Sequence, residues 1–196
     1  MKVVGITGGI ASGKSTVSSY LQKKYQAYIF DADKEAKLLL NSKHISEKIY
    51  KAFPGLLDLS KTSIANEAFK NQKSQRKIND IIHPAISDLI LERINDKKKS
   101  HTLFVIDAAL IIESGVFKKH RESGSKLILI SADKDSRLQR ALERSNLSEQ
   151  TINDRMKLQM KDSEKIKYVD YVIENNSTKS ELYNSVDKII KTIMHE

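Results

Sequence analysis

The stretch Gly8-Gly9-Ile10-Ala11-Ser12-Gly13-Lys14-Ser15-Thr16 matches G-x-x-x-x-G-K-S/T at every fixed position. Residues of these types at this spacing cradle phosphate. Glycines let the chain turn tightly and aim successive backbone N–H groups inward. A helix starting near Lys14 adds the positive end of its dipole. Lys14 reaches the β- and γ-phosphates of a bound nucleotide, and the Ser15 hydroxyl is a ligand for Mg²⁺. Gly9 through Thr16 therefore form a candidate nucleotide site.

Three further groups could act on a phosphoryl group held there. Asp31-Ala32-Asp33 places two carboxylates just after an apolar run. If the strand continues through them they share a side, and either could accept a hydroxyl proton or hold a metal-bound water. The competing reading is that Asp33 caps a helix over Lys34–Leu40. Asp107 closes a second apolar run, where P-loop proteins commonly supply another contact to Mg²⁺. Arg137, Arg140 and Arg144 follow one another at i, i+3 and i+7, on one face of a helix from about Asp133. Such a face is ordinarily solvated, but phosphoryl transfer needs positive charge over the transferring group.

The elements that must position these residues alternate. Lys2–Thr7 reads as a strand feeding the loop, and Ser15–Lys23 as the helix leaving it, with Val17, Tyr20 and Leu21 on one face. Ala27–Phe30, Thr102–Asp107, Lys126–Ser131 and Tyr171–Glu174 read as further strands. From about Ser42 to Lys99 the chain is helical: Ile45, Ile49 and Phe53, then Ile64–Phe69, then a longer stretch from Gln72 with Ile86, Leu89, Ile90 and Ile94 as its stripe. Pro84 is expected to kink or break that stretch at His83. Ser148 caps another helix in which Arg155 and Gln159 lie one turn apart. Thr178 with Glu181 makes a capping box for the last helix, which buries Leu182, Val186, Ile189, Ile190 and Ile193. The class is α/β, a mainly parallel sheet flanked by helices, in a single domain over 1–196 with a helical insertion over about 42–99.

Composition narrows the partners. With 196 residues the chain can bury a substantial core. There are no cysteines, which excludes disulfides and thiolate chemistry, and the five histidines form no ligand pair of zinc-site spacing. No apolar run is long enough to span a membrane, and the start lacks a signal-peptide pattern, so a cytoplasmic location is expected. The net charge of +9 raises the question of nucleic acid. Its basic residues are interleaved with acids and lack alternating aromatics, so the reading is a polyanionic small molecule and no nucleic acid. Oligomeric state has no signature here.

Together the motifs resemble the dephospho-coenzyme A kinase family over nearly the whole chain. The features are Ile6-Thr7-Gly8-Gly9-Ile10 with its loop, Asp31-Ala32-Asp33, His83-Pro84, Asp107 to Glu113, and Arg155-Met156-Lys157-Leu158-Gln159 followed by the strand ending at Asn175. The chain departs from the family at Lys37, where an arginine is usual, and at Ala109, where a proline is usual. The resemblance implies a P-loop kinase using ATP and Mg²⁺ to phosphorylate the ribose 3′-hydroxyl of dephospho-coenzyme A. It implies Asp33 as base, Arg140 and Arg144 closing from a lid over about 133–160, and Asn175 near the adenine. It places Asp31, His83 and Asp107 on the acceptor side. A nucleoside monophosphate kinase would share the loop and lid but not the aspartate and His-Pro signatures. A GTP switch would need an N-K-x-D after a strand, which is absent.

Overall fold

In a computed structural model of the protein all residues but Leu57 and Leu59 are described, with the side chains of Lys61, Ala65, Ala68 and Phe69 left aside. One five-stranded sheet, parallel throughout, contains β1 (Lys2–Thr7), β2 (Tyr28–Asp31), β3 (Leu103–Asp107), β4 (Lys126–Ser131) and β5 (Tyr171–Glu174). Their order is β2-β3-β1-β4-β5. Parallel neighbours put every strand's C-terminal end on one edge, and the order reverses around β1, from whose end the phosphate loop springs. Open α/β sheets bind ligands at such a switch point.

Strand alternation sorts the core into two layers. Phe104 and Ile106 of β3 face one side with Phe30, and Leu103 and Val105 face the other with Val4 and Ile6. The first side is covered by α3 (Lys43–Ala52), α4 (Lys61–Lys70) and α5 (Gln72–Lys97), through Ile45, Ile49, Ile64, Ile82, Ile86 and Ile90. The second is covered by α1 (Lys14–Tyr25) and α10 (Lys179–His195), through Val17, Leu21, Leu182, Val186, Ile190 and Ile193, with Ile189 only partly buried. Asp187 of α10 accepts hydrogen bonds from Tyr20 and Tyr25 of α1 at 2.8 and 2.9 Å, which ties the two helices together.

Between these lie α2 (Ala32–Leu39), α6 (Lys118–Glu122), α7 (Lys134–Arg144), α8 (Glu149–Lys157) and the short α9 (Asp162–Lys165), which runs into a 3₁₀ turn over Ile166–Tyr168. The local caps form as their side chains dictate. Ser148 accepts from Thr151 N–H, and Thr178 and Glu181 make both bonds of the capping box.

Two expectations are corrected. Helix α5 continues for 26 residues through Pro84 and does not break at His83. An internal proline costs about 3 kcal/mol. The buried isoleucines at 78, 82, 86 and 90 recur every fourth residue on both sides of it, and each contributes about 1.5–3 kcal/mol on burial. The apolar wall outweighs the proline. The second correction is at β2, which ends at Asp31; Asp33 lies inside α2, so strand alternation does not relate the two carboxylates.

Candidate active site

The phosphate loop spans β1 to α1. Gly13 takes φ 105°, a left-handed value that favours glycine, and a Cβ there would lie 2.2 Å from the Asn175 side-chain nitrogen. It precedes α1 with no side-chain cap; Thr16 and Val17 N–H turn back to the Gly13 carbonyl, which leaves the N–H groups of Lys14 and Ser15 for a ligand. Ala11 takes φ 58°, a conformation costing an L-residue about 1–2 kcal/mol. The surroundings hold the loop in this shape. Ile10 N–H donates to Gln159 Oε1 at 2.9 Å, and Ile10 C=O accepts from Arg137 Nε at 2.9 Å. Asn175, buried, donates its side-chain N–H to Ser12 C=O at 2.8 Å. Lys14 Nζ donates to Gly8 C=O at 3.1 Å. Each of these bonds brings a group from outside the loop, or the loop's own lysine, onto its backbone.

Facing the loop across a cleft of about 270 Å³ are Asp31, Asp33 and Asp107, with Lys37 and Arg144 at its sides. Strand register pairs Asp31 with Asp107 on neighbouring strands. Asp31, not Asp33, caps α2: its carboxylate accepts from Lys34 N–H at 2.8 Å. Asp33 is thereby left to face the cleft. Burial against the cleft wall pushes its carboxyl above the ordinary aspartate range, although it still reaches solvent at the cleft mouth. Lys14 is the first of the groups opposing that rise; Asp31 adds to it, and the Ala109 backbone opposes it. Burial also raises Asp107, against the Ser18 hydroxyl that donates to it at 2.7 Å. The pair suits different tasks. Asp107 is anchored by a donor, whereas Asp33 has a raised affinity for a proton and an open face.

A wider chamber of about 560 Å³ continues from this cleft past Asp33, Lys14, Lys37 and Arg144. Gln75, Leu110 and Gln159 line it and also a polar trough of about 580 Å³ between α5 and the α8–α9 region, where His83, Arg76, Lys157 and Lys161 lie. His83 thus sits in the adjoining trough and not beside Asp33. Burial lowers its pKa, with Asp80 opposing.

The three arginines of α7 go to three destinations. Arg137 holds Ile10 and lies 3.5 Å from Asp162. Arg140 donates to the Asn175 carbonyl at 2.9 Å, while its other terminal nitrogen is buried with no partner among the described residues. Arg144 is exposed and lines the cleft. Sequence reasoning missed Asp162 and Lys165. Lys165 is wholly buried, with Nζ 2.9 Å from the Ala109 carbonyl and 3.3 Å from Glu113. In the sequence it is one of three lysines in Lys161–Lys167, and no periodicity separates it from its exposed neighbours. For Arg137 the signal was the arginine face itself; what it touches was not legible.

A phosphate loop after the first strand of a wholly parallel sheet, with an open carboxylate facing its lysine, defines a P-loop kinase. The dephospho-CoA kinase (CoaE) family model matches residues 2–181. The chain belongs to the dephospho-CoA kinase family. It is 34% identical to the dephospho-CoA kinase of Fusobacterium nucleatum, covering 97% of this chain and 98% of that one. It is also 34% identical to the dephospho-CoA kinase of Aquifex aeolicus over the whole of both chains. A solved dephospho-CoA kinase from Campylobacter jejuni has a similar fold, with a TM-score of 0.66 at 26% identity over 100% of this chain and 98% of that one.

Proposed function

We propose that the protein transfers the γ-phosphoryl group of ATP to the ribose 3′-hydroxyl of dephospho-coenzyme A, giving coenzyme A and ADP. The observation that carries this reading, within the family, is that Asp33 opens onto the cleft that Lys14 and Ser15 line. Asp33 takes the proton of the attacking hydroxyl as its oxygen bonds to the γ-phosphorus and the bond to ADP breaks. A carboxyl with raised proton affinity is a better base for a weakly acidic hydroxyl than a free aspartate.

Lys14 and the uncapped N–H groups of α1 hold the nucleotide phosphates. The cleft offers Mg²⁺ only oxygen donors, the hydroxyl of Ser15 and neighbouring carboxylates, which is the set that ion prefers. Ser15 would hold it, and the ion would supply positive charge that neutralises the phosphates. The α7–α8 region is the lid. Its Arg144 already faces the cleft, and Arg140 has one unpartnered nitrogen to offer the developing charge. Asn175 serves the nucleotide side from behind the loop, through Ser12. Asp31 and Asp107 flank the acceptor, and the insertion over about 42–99 binds its anionic arm along the trough of His83, Arg76, Lys157 and Lys161. The cytoplasm is the proposed location.

An assay coupled to ADP release, with Mg²⁺ and ATP, tests the reading. Dephospho-coenzyme A should exceed adenosine, AMP, CMP and gluconate by a wide margin in kcat/KM. Equal or better turnover of a nucleoside monophosphate would replace it with a nucleotide kinase.

A further inference from the structure

We propose that Lys165 is a positioning residue for the phosphoryl transfer, acting on Asp33 through the backbone of Ala109. The inference rests on Asp33 being the base. Ala109 lines the chamber beside Asp33, and its backbone N–H is among the groups that favour the ionised Asp33 carboxylate. The carbonyl of the same residue is held from behind by two donors. Lys165 Nζ lies at 2.9 Å, and Thr7 Oγ1, from the last residue of β1, at 3.2 Å. The wall against which Asp33 rests is therefore pinned to the end of the strand that launches the phosphate loop. Lys165 is the pin that arrives from a distant part of the chain.

The lysine is an unusual choice for that place. Its side chain is fully buried, and the carboxylate paired with it, Glu113 at 3.3 Å, is itself partly exposed. Burying an ammonium costs several kcal/mol, and an apolar side chain of similar volume is often at least as stabilising. Packing alone therefore favours methionine at 165. What methionine cannot supply is a donor to the Ala109 carbonyl. Glu113, in turn, accepts from Met160 N–H at 3.2 Å, and Asp162 meets Arg137, which grips Ile10. The same small helix thus touches both walls of the site, the loop through Arg137 and the Asp33 wall through Lys165.

The test is a coupling experiment on the full chain, reading single-turnover phosphoryl transfer at saturating ATP and dephospho-coenzyme A. Lys165→Met should slow transfer about 10²-fold, the scale set by a small misplacement of a reacting group, while nucleotide affinity by equilibrium titration holds. In an Asp33→Asn background the same substitution should have almost no further effect, because the group it positions is gone. An equal fold-loss in both backgrounds would overturn the proposal and leave Asp33 as base. Normal transfer by Asp33→Asn alone would instead overturn the base, and the proposal with it. If Lys165→Met leaves Glu113 too poorly compensated to fold, Lys165→Met/Glu113→Gln removes both charges and serves in its place. A double variant that is folded and fully active, or that also fails to fold, would overturn the positioning role.

Discussion

Arg137 on α7 and Ile10 in the phosphate loop are joined by a 2.9 Å hydrogen bond from the guanidinium Nε to the peptide carbonyl. A side chain 127 residues away in sequence thus helps to shape the cradle. A bond from a charged donor is worth about 1.5–3 kcal/mol, so Arg137→Ala should weaken ATP binding roughly tenfold with a smaller effect on kcat. A Cβ on Gly9 would sit 2.1 Å from the Arg137 guanidinium. Gly9→Ala should therefore expel that side chain and weaken ATP to a similar degree, and add little when Arg137 is already alanine. Nucleotide titration of the three variants checks this. Unchanged affinity in Arg137→Ala would show that the loop holds its shape without the tether.

Asp31 and Asp33 are separated by what each already does. Asparagine caps a helix about as well as aspartate, so Asp31→Asn should leave stability and kcat near normal, and Asp31→Ala should cost about 1 kcal/mol in thermal or denaturant unfolding. Asp33→Asn should lower kcat about 10²–10⁴-fold, the usual worth of general acid–base catalysis, with little change in ATP affinity or Tm. Loss of kcat in Asp31→Asn with retention in Asp33→Asn would move the base to Asp31.

The pH profile follows from the direction of the Asp33 shift. A base must be ionised, and burial raises its pKa, so kcat/KM should fall on the acid side with a limb above the range of a free aspartate. A carboxyl whose folded pKa exceeds its unfolded one binds more protons when folded, so between the two values stability gains from this residue as pH falls. The acid loss of activity should thus not be accompanied by unfolding at this site. Proline has no N–H. Ala109→Pro should remove the N–H that favours the ionised carboxylate, raising the acid limb while the plateau rate holds. A limb that stays in place, or moves down, would break the link between Ala109 and Asp33.

Arg140→Ala should lower kcat more than it weakens ATP binding, because a charge over the transferring group matters most when the phosphoryl is in flight. Its unpartnered nitrogen is what leaves it free to serve there. Steady-state kinetics with both substrates varied distinguishes the outcomes. If only ATP affinity falls, Arg140 is a ground-state contact that works through the Asn175 carbonyl.

Much of this protein was legible in the order of its residues. The loop from Gly8 to Thr16, the strands, the Ser148 cap and the Thr178–Glu181 box depend on neighbours a few positions away, so their spacing states them outright. The parallel sheet follows from strands alternating with helices, because parallel neighbours need crossovers. The tertiary structure decided what depends on partners far along the chain. Local reading offered Asp33 as the cap of a helix starting at Lys34; β2, paired with β3 as far as Asp31, ends where the helix begins two residues earlier, and the cap falls to Asp31. Pro84 stayed inside its helix because a wall of packed isoleucines outweighed a local penalty. Three arginines on one helical face went to three different places, two onto backbone carbonyls and one to the cleft, and Lys165 became buried among lysines that stayed exposed. Burial and polar contact across more than 50 residues are properties of the assembled fold, and a one-dimensional pattern has no record of them.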